Sequence, residues 1–409
     1  MSVTDDIRAQ FPALQQTVYG KHLVYFDNAA TSQKPQAVLD LIGRMNSLTN
    51  ANVHRAVHKL SVDATELYEA GREAARRFIG ASCREEVVFT SGATAALNLL
   101  ATCFTRRFVA PGEKILISEA EHHSNIVSWQ IACAAVGASI EVVKVADDGM
   151  VDMADLERKL TSDVRLLSIT HASNVLGVVN PVADIVAMAH SRGIPVAVDG
   201  AQSVVHCPID VQRLDCDFFV FSAHKIYGAT GTGVLYGRRS LLEQLPPYMG
   251  GGDMVDTVSF EGTTYAELPL KFEAGTPNFI GASTLAPALE FASRVNGDPE
   301  LMRLEREMVE YLATELPAID GLRLYGMPSD LSLKIPVFSM TVDGTHPSDL
   351  AQILDKMGIA VRSGLMCAEP LIRKYSDRGM LRASLMPYNT LEECETFVKG
   401  LGRAVAMLR

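Results

Sequence analysis

Apolar positions follow two rhythms along this chain. Residues 63–79 carry Leu67, Ala70, Ala74 and Phe78 at spacings of three and four, which predicts a helix with one buried face. From Val87 onward, short apolar runs alternate with helical stretches. Strands are predicted over 87–90, 115–118, 140–145, 166–170, 196–199, 218–222 and 233–236, with helices after Ser91-Gly-Ala-Thr94 and over 126–136. This order predicts an α/β fold built on a large, doubly wound, mostly parallel sheet.

Between 237 and 284 the rhythm loosens at Pro246-Pro247, Gly250-Gly-Gly252 and Glu261-Gly-Thr-Thr264, so an excursion reaching a partner subunit is expected. Regularity then returns. A strand over 337–342 meets a turn at Asp343-Gly344. Next come a helix capped by Ser348, carrying Leu350, Ile353, Leu354 and Met357 and ending at Gly358, and a strand over 359–362. A last helix near 391–408 places Cys394, Val398, Leu401 and Val405 on one face. With 409 residues the chain exceeds one ordinary core. The expected division is an N-terminal arm (1–20) joining the small domain, a large domain (21–284), and a smaller C-terminal α+β domain (285–409).

Composition narrows the partners. A formal charge of −11 argues against a phosphate-backbone ligand, so no nucleic acid is expected. No apolar run approaches a membrane span, and Met1-Ser-Val-Thr-Asp5-Asp6 lacks the order of a signal peptide, so a cytoplasmic protein away from membranes is expected. Seven scattered cysteines without Cys-x-x-Cys argue against a disulfide framework or a zinc knuckle. His54 and His58 stand four apart, but no Glu follows His54 and no third ligand is apparent, so no metal is expected. Gly228-Ala-Thr-Gly231-Thr-Gly233 precedes a strand rather than opening a helix, which excludes a dinucleotide loop.

Two strand ends carry the chemistry. The run ending in Asp199-Gly-Ala-Gln202 and the run ending in Ser222-Ala-His224-Lys225 deliver an acid and an amine to the edge where open α/β sheets bind ligands. Either residue alone reads as a helix cap or a solvated charge. Together they suit pyridoxal phosphate, which needs a lysine to hold its aldehyde and a carboxylate to keep its ring nitrogen protonated. Ser91-Gly-Ala-Thr94 is then a phosphate site at a helix N-terminus, or an ordinary cap. Ser222 and His224 can also donate to phosphate oxygens.

The spacing of Asp-x-x-Gln and Ser-x-His-Lys resembles the class V aminotransferase family of pyridoxal-phosphate enzymes, which are homodimers of fold type I. The resemblance implies that His122, in Glu121-His122-His123, stacks on the cofactor and helps move protons. It also implies Ala201 against the opposite ring face, Gln202 and Asn174 near the ring oxygen, Thr94 on phosphate, and Thr276 reaching phosphate from the neighbouring subunit. Asn174 and Arg382 would hold the substrate carboxylate, Val53-His54-Arg55 would line the mouth where His54 and Arg55 meet the substrate, and Arg362 would bind substrate and stand near enough to Cys367 to lower the pKa of its thiol.

Within that family, Arg362-Ser-Gly-Leu-Met-Cys367-Ala followed by Arg382-Ala-Ser resembles cysteine desulfurases of the SufS type. Asn28-Ala-Ala-Thr31, Glu121-His-His and Phe272-Glu-Ala-Gly-Thr276-Pro-Asn extend the match over nearly the whole chain. The resemblance implies conversion of L-cysteine to L-alanine, with Lys225 as base and Cys367 as the nucleophile that carries a persulfide. The sulfur would pass to a SufE-like or SufU-like acceptor for iron-sulfur cluster assembly. Many relatives place His before the nucleophile, where this chain has Met366. Rival readings are a selenocysteine lyase, a kynureninase-like lyase that needs no thiol, and a non-catalytic scaffold for sulfur transfer.

Overall fold

The computed structural model describes residues 3–409. At its centre is a seven-stranded sheet in the order Val87–Thr90, Gly233–Gly237, Phe218–Ser222, Val196–Asp199, Val164–Thr170, Lys114–Ser118, Ser139–Val143. Every pairing is parallel except those of Gly233–Gly237, which runs against both its neighbours. Val196–Asp199 and Phe218–Ser222 are buried along their whole length, as strands covered by helices on both faces of a three-layered α/β unit must be. In register, Thr170 stands opposite Asp199, and Gly233 stands opposite both Thr90 and Ser222. One sheet edge therefore gathers the ends of five strands.

The smaller unit is a four-stranded antiparallel sheet in the order Leu322–Tyr325, Val337–Val342, Met380–Ser384, Arg362–Gly364. Helices Pro299–Glu315, Pro347–Lys356 and Leu391–Leu408 share its core through Leu312, Leu350 and Leu401. The last helix starts with a reciprocal capping box between Thr390 and Glu393. The helix Leu285–Asn296, counted with the smaller unit on sequence, buries Leu285, Ala288, Leu289 and Ala292 in the large core instead. Conversely, Val24 and Phe26 lie in the small core. The N-terminal arm reaches both units. Arg8 pairs with Glu393 at 2.8 Å, and Phe11 packs its ring against Tyr227, Phe291 and Tyr388.

Three local expectations are corrected. The helix expected from 63 begins at Lys59, where the His58 ring accepts from the Ser61 N–H, so His58 is a cap. The helix expected to be capped by Ser348 is capped by His346, with Pro347 in its first turn. The strand expected over 359–362 is two strands. Ile359–Ala360 pairs in parallel with Val24–Tyr25, then Arg362–Gly364 joins the antiparallel sheet. The loosened segment forms a hairpin, Val255–Val258 with Thr263–Tyr265, whose tip carries a fully exposed Phe260.

Candidate active site

A cleft of about 240 Å³ opens at the strand-end edge, closed on its far side by the smaller unit. The large unit brings Thr94, His122, Asn174, Asp199, Ala201, Gln202, Ser222, His224 and Lys225 to its wall; the smaller unit brings Arg362, Cys367 and Arg382. The structure does not bring His54, Arg55 or Thr276 there. These three are exposed, with Arg55 ion-paired to Asp253 and His54 3.2 Å from Glu69. A buried pair, Arg72 with Glu273 at 2.7 Å, fixes the base of the turn that carries Thr276.

Burial dominates the electrostatics of the inner wall. The Lys225 amine is pushed down to about 8 by desolvation, against the pull of Asp199. Desolvation pushes the Asp199 carboxyl up, while Lys225 and the Ala201 N–H pull it back. Among the described residues the Asp199 carboxylate accepts one hydrogen bond, from Ala201 N–H at 2.9 Å, which leaves carboxylate capacity for a ligand. Burial and the Lys225 charge push His122 down to about 4, and His224 falls to about 4 for the same reasons. Nδ1 of His122 accepts from the Ser124 N–H at 3.1 Å, so in the neutral ring the proton sits on Nε2.

The expected phosphate end has a suitable cradle. The helix Ala93–Phe108 starts at the cleft, and Ser222 Oγ accepts from Ala93 N–H at 2.8 Å while keeping its own proton to donate. Gly92 adopts φ +148 and lies so close to Gly233 that a Cβ there would stand 2.5 Å from Gly92 Cα. Gln202 gives one amide proton to the Ala29 carbonyl at 2.8 Å and keeps the rest of its amide. The donors at one end, the carboxylate and the buried amine fit pyridoxal phosphate.

Arg382 is held in a fixed orientation at the cleft wall. Its guanidinium is buried, with Nη1 donating to the Asn174 carbonyl at 3.0 Å and Nη2 to Asp27 at 3.1 Å, while Nε has no partner among the described residues. A buried unpaired donor costs about 1–3 kcal/mol. Arg362 donates to both Asp27 oxygens, at 3.1 and 3.2 Å. Its charge is thus committed to Asp27 rather than reserved for the thiol.

Cys367 sits on an exposed loop in a conformation that L-residues avoid, with φ 48 at Met366 and φ 53 at Cys367. Left-handed backbone costs about 1–2 kcal/mol per residue, so the surroundings must hold it. The Met366 side chain does part of this, buried among Ala120, Val175 and Leu371. That burial accounts for an apolar residue at position 366. Asn174 Nδ2 donates to the Met366 carbonyl at 2.7 Å, a role the sequence did not show.

Two more residues went unrecognised. Asp27 ties both arginines, and its one sequence signal is its place beside Asn28-Ala-Ala-Thr31. Glu121, wholly buried, accepts from Asn125 at 2.6 Å and from Thr170 N–H at 3.0 Å, and burial pushes its carboxyl up to about 7. It anchors the His122 turn to the strand beside Asp199. Among the described residues no group of three or more His, Cys, Asp or Glu side chains is placed to hold a metal ion, and no helix is long and apolar enough to cross a membrane.

The aminotransferase class-V family model matches residues 24–397. A probable cysteine desulfurase of Vibrio cholerae is 43% identical over 407 residues, covering 99% of each chain. A cysteine desulfurase of Escherichia coli is 45% identical over 405 residues, covering 99% of this chain and 98% of the relative. Among solved structures, the cysteine desulfurase CsdA of Escherichia coli, in an S-sulfonic acid form, superposes with a TM-score of 0.91 at 37% identity over the whole of both chains. The apo cysteine desulfurase of Thermococcus onnurineus gives 0.92 at 37% identity, covering 100% of this chain and 99% of the other. The chain belongs to the class-V aminotransferase family, and its cofactor is pyridoxal phosphate.

Proposed function

We propose that the chain is a cysteine desulfurase that converts L-cysteine to L-alanine and holds the sulfur as a persulfide on Cys367. One observation carries this: the exposed thiol of Cys367 lines the same cleft as the buried amine of Lys225. Pyridoxal phosphate, when bound, supplies the electron sink that stabilises charge at the substrate Cα. Arg382, which lines the cleft, holds the substrate carboxylate through its guanidinium, and the Asn174 carbonyl and Asp27 keep that group from turning. Lys225 Nζ, free as an amine lowered to about 8, takes the α-proton. His122 presents Nε2–H to the cleft as a proton donor.

The Cys367 thiolate then attacks the substrate sulfur. Its electron pair forms the new S–S bond, and the pair of the breaking C–S bond returns to the substrate carbon, which gains a proton and leaves as alanine. The balance needs no outside oxidant or reductant; a second thiol is needed only to remove the persulfide. That acceptor is a SufE-like or SufU-like carrier in the reading that the resemblance favours, and the exposure of Cys367 supports direct transfer to it. Exposed Thr276, His54 and Arg55, away from the cleft of their own chain, support a homodimer in which each subunit completes the other's site. Seven free thiols support a cytoplasmic setting.

The test compares the native holoenzyme with Cys367→Ala on L-cysteine and a thiol reductant. The expected result is alanine from the native enzyme and none from a variant whose visible cofactor band is unchanged. Full alanine formation by the variant would favour a lyase that needs no thiol.

A further inference from the structure

We infer that His123 is a positioning residue that latches the nucleophile loop, an assignment that rests on the desulfurase reading above. Its neighbours in Glu121-His122-His123 face elsewhere: Glu121 inward to Thr170, His122 into the cleft. His123 faces the loop and grips it at two points, at the Cys367 carbonyl and just beyond it. Its backbone N–H donates to the Cys367 carbonyl at 2.6 Å. Its ring Nε2 accepts from the Glu369 N–H at 2.9 Å, the first amide of the short helix Glu369–Arg373. With Asn174 on the Met366 carbonyl, three points of the loop, at Met366, Cys367 and Glu369, are tied to the large unit.

The ring contact is the one that a side-chain change can remove. Accepting at Nε2 requires a neutral ring with its proton on Nδ1, so the latch specifies a tautomer as well as a distance. Without it the Glu369 amide turns to water, and the next hydrogen bonds to the large unit come only beyond the short helix, from Lys374 Nζ to Glu119 and the Val145 carbonyl. The left-handed pair Met366–Cys367 then relaxes, and the thiol spends less time at attacking distance. Loss of such alignment slows the sulfur step and leaves substrate binding intact, because Arg382 and Lys225 are held by other contacts.

The experiment uses holoenzyme of the native chain, His123→Ala and His123→Gln; glutamine places an acceptor oxygen near the Nε2 position. Three readouts are taken: alanine formed in the first turnover, KM for L-cysteine, and the rate of Cys367 alkylation by iodoacetamide without substrate. For His123→Ala the expected result is first-turnover alanine at least about tenfold slower, KM within about twofold, an unchanged cofactor band, and altered alkylation. His123→Gln should recover most of each loss. Native rates in His123→Ala, or a glutamine variant as impaired as alanine, would overturn the latch; a raised KM with loss of the cofactor band would assign His123 to the cofactor site instead. The alkylation arm needs no turnover, so a native enzyme that makes no alanine would sink the functional reading while this arm still decides the latch.

Discussion

The two walls of the cleft are built on opposite terms. On the large-unit side, Asp199 ends one strand buried along its length and Lys225 closes the short turn Ala223–Lys225 directly after another, and a Cβ added at Gly200 would stand 1.9 Å from the Phe219 ring. On the small-unit side, Cys367 is exposed, its backbone is left-handed, and a few hydrogen bonds from His123 and Asn174 fix it. The first wall must hold a cofactor still while charge moves. The second must meet a substrate sulfur and then present it to another protein. Rigid chemistry sits on the sheet, and the transferable atom sits on a loop of small stability cost.

The largest expected effect breaks the rigid wall. Lys225→Ala removes both the covalent anchor and the base, and should lower alanine formation from L-cysteine by at least about 1,000-fold. An added primary amine should restore part of the rate. Substantial activity in the variant without amine would mean that another group takes the α-proton, and the division of labour between the walls would fail. The folded content of the variant, followed by circular dichroism, should match the native chain because the lysine is not part of the core.

The same contrast explains what the sequence made legible. Asp199 and Lys225 could be found because each ends an apolar run that is buried throughout, and the sheet edge where they meet follows from the strand alternation. Resemblance added Cys367 and Arg382. The pairing of Arg362 and Arg382 with Asp27, at the far end of the chain, could not be read, because nothing local marks a salt bridge that tertiary folding creates. The strand Met380–Ser384 was missed for a similar reason: all five residues are buried, so it shows no alternation. The ring contact of His123 with Glu369 depends on which way adjacent histidines face, which spacing does not set. Ser348 was mistaken for a cap because His346, two residues earlier, performs that role through a ring nitrogen.

A middle-sized effect sharpens the comparison through pH. Burial lowers the Lys225 amine from its ordinary 10.5 to about 8 in the cofactor-free chain. The unfolded chain therefore binds more protons between these two values, so this group makes the cofactor-free protein gain stability as pH rises from about 8 to 10.5; below about 8 the full cost of burying the charge is present. Only the neutral amine adds to an aldehyde. Reloading of stripped enzyme with pyridoxal phosphate should accelerate about tenfold per pH unit below about 8 and then flatten, while a reference alkylamine keeps rising. The visible band gives the rate. A reloading curve that tracks the reference amine would show that Lys225 is not held in a desolvated wall.

The smallest effect compares two glycines, one from each wall. Gly200→Ala forces a methyl group into Phe219, which is fully buried and packs against Phe221, so neither ring can swing away. Overpacking of this kind costs about 1–3 kcal/mol, and here it lies next to Asp199, so cofactor retention should fall with stability. Gly364→Ala enters open space, and its cost is confined to the backbone, where φ +112 is strained for any residue with a Cβ. That cost is about 1 kcal/mol, with the visible band unchanged. Thermal unfolding of the two holoenzymes, read beside the band, gives the order directly. If Gly364→Ala were the more damaging to stability and cofactor retention, the loop rather than the sheet would be the rigid half, and the placing of Cys367 on the yielding wall would have to be reversed.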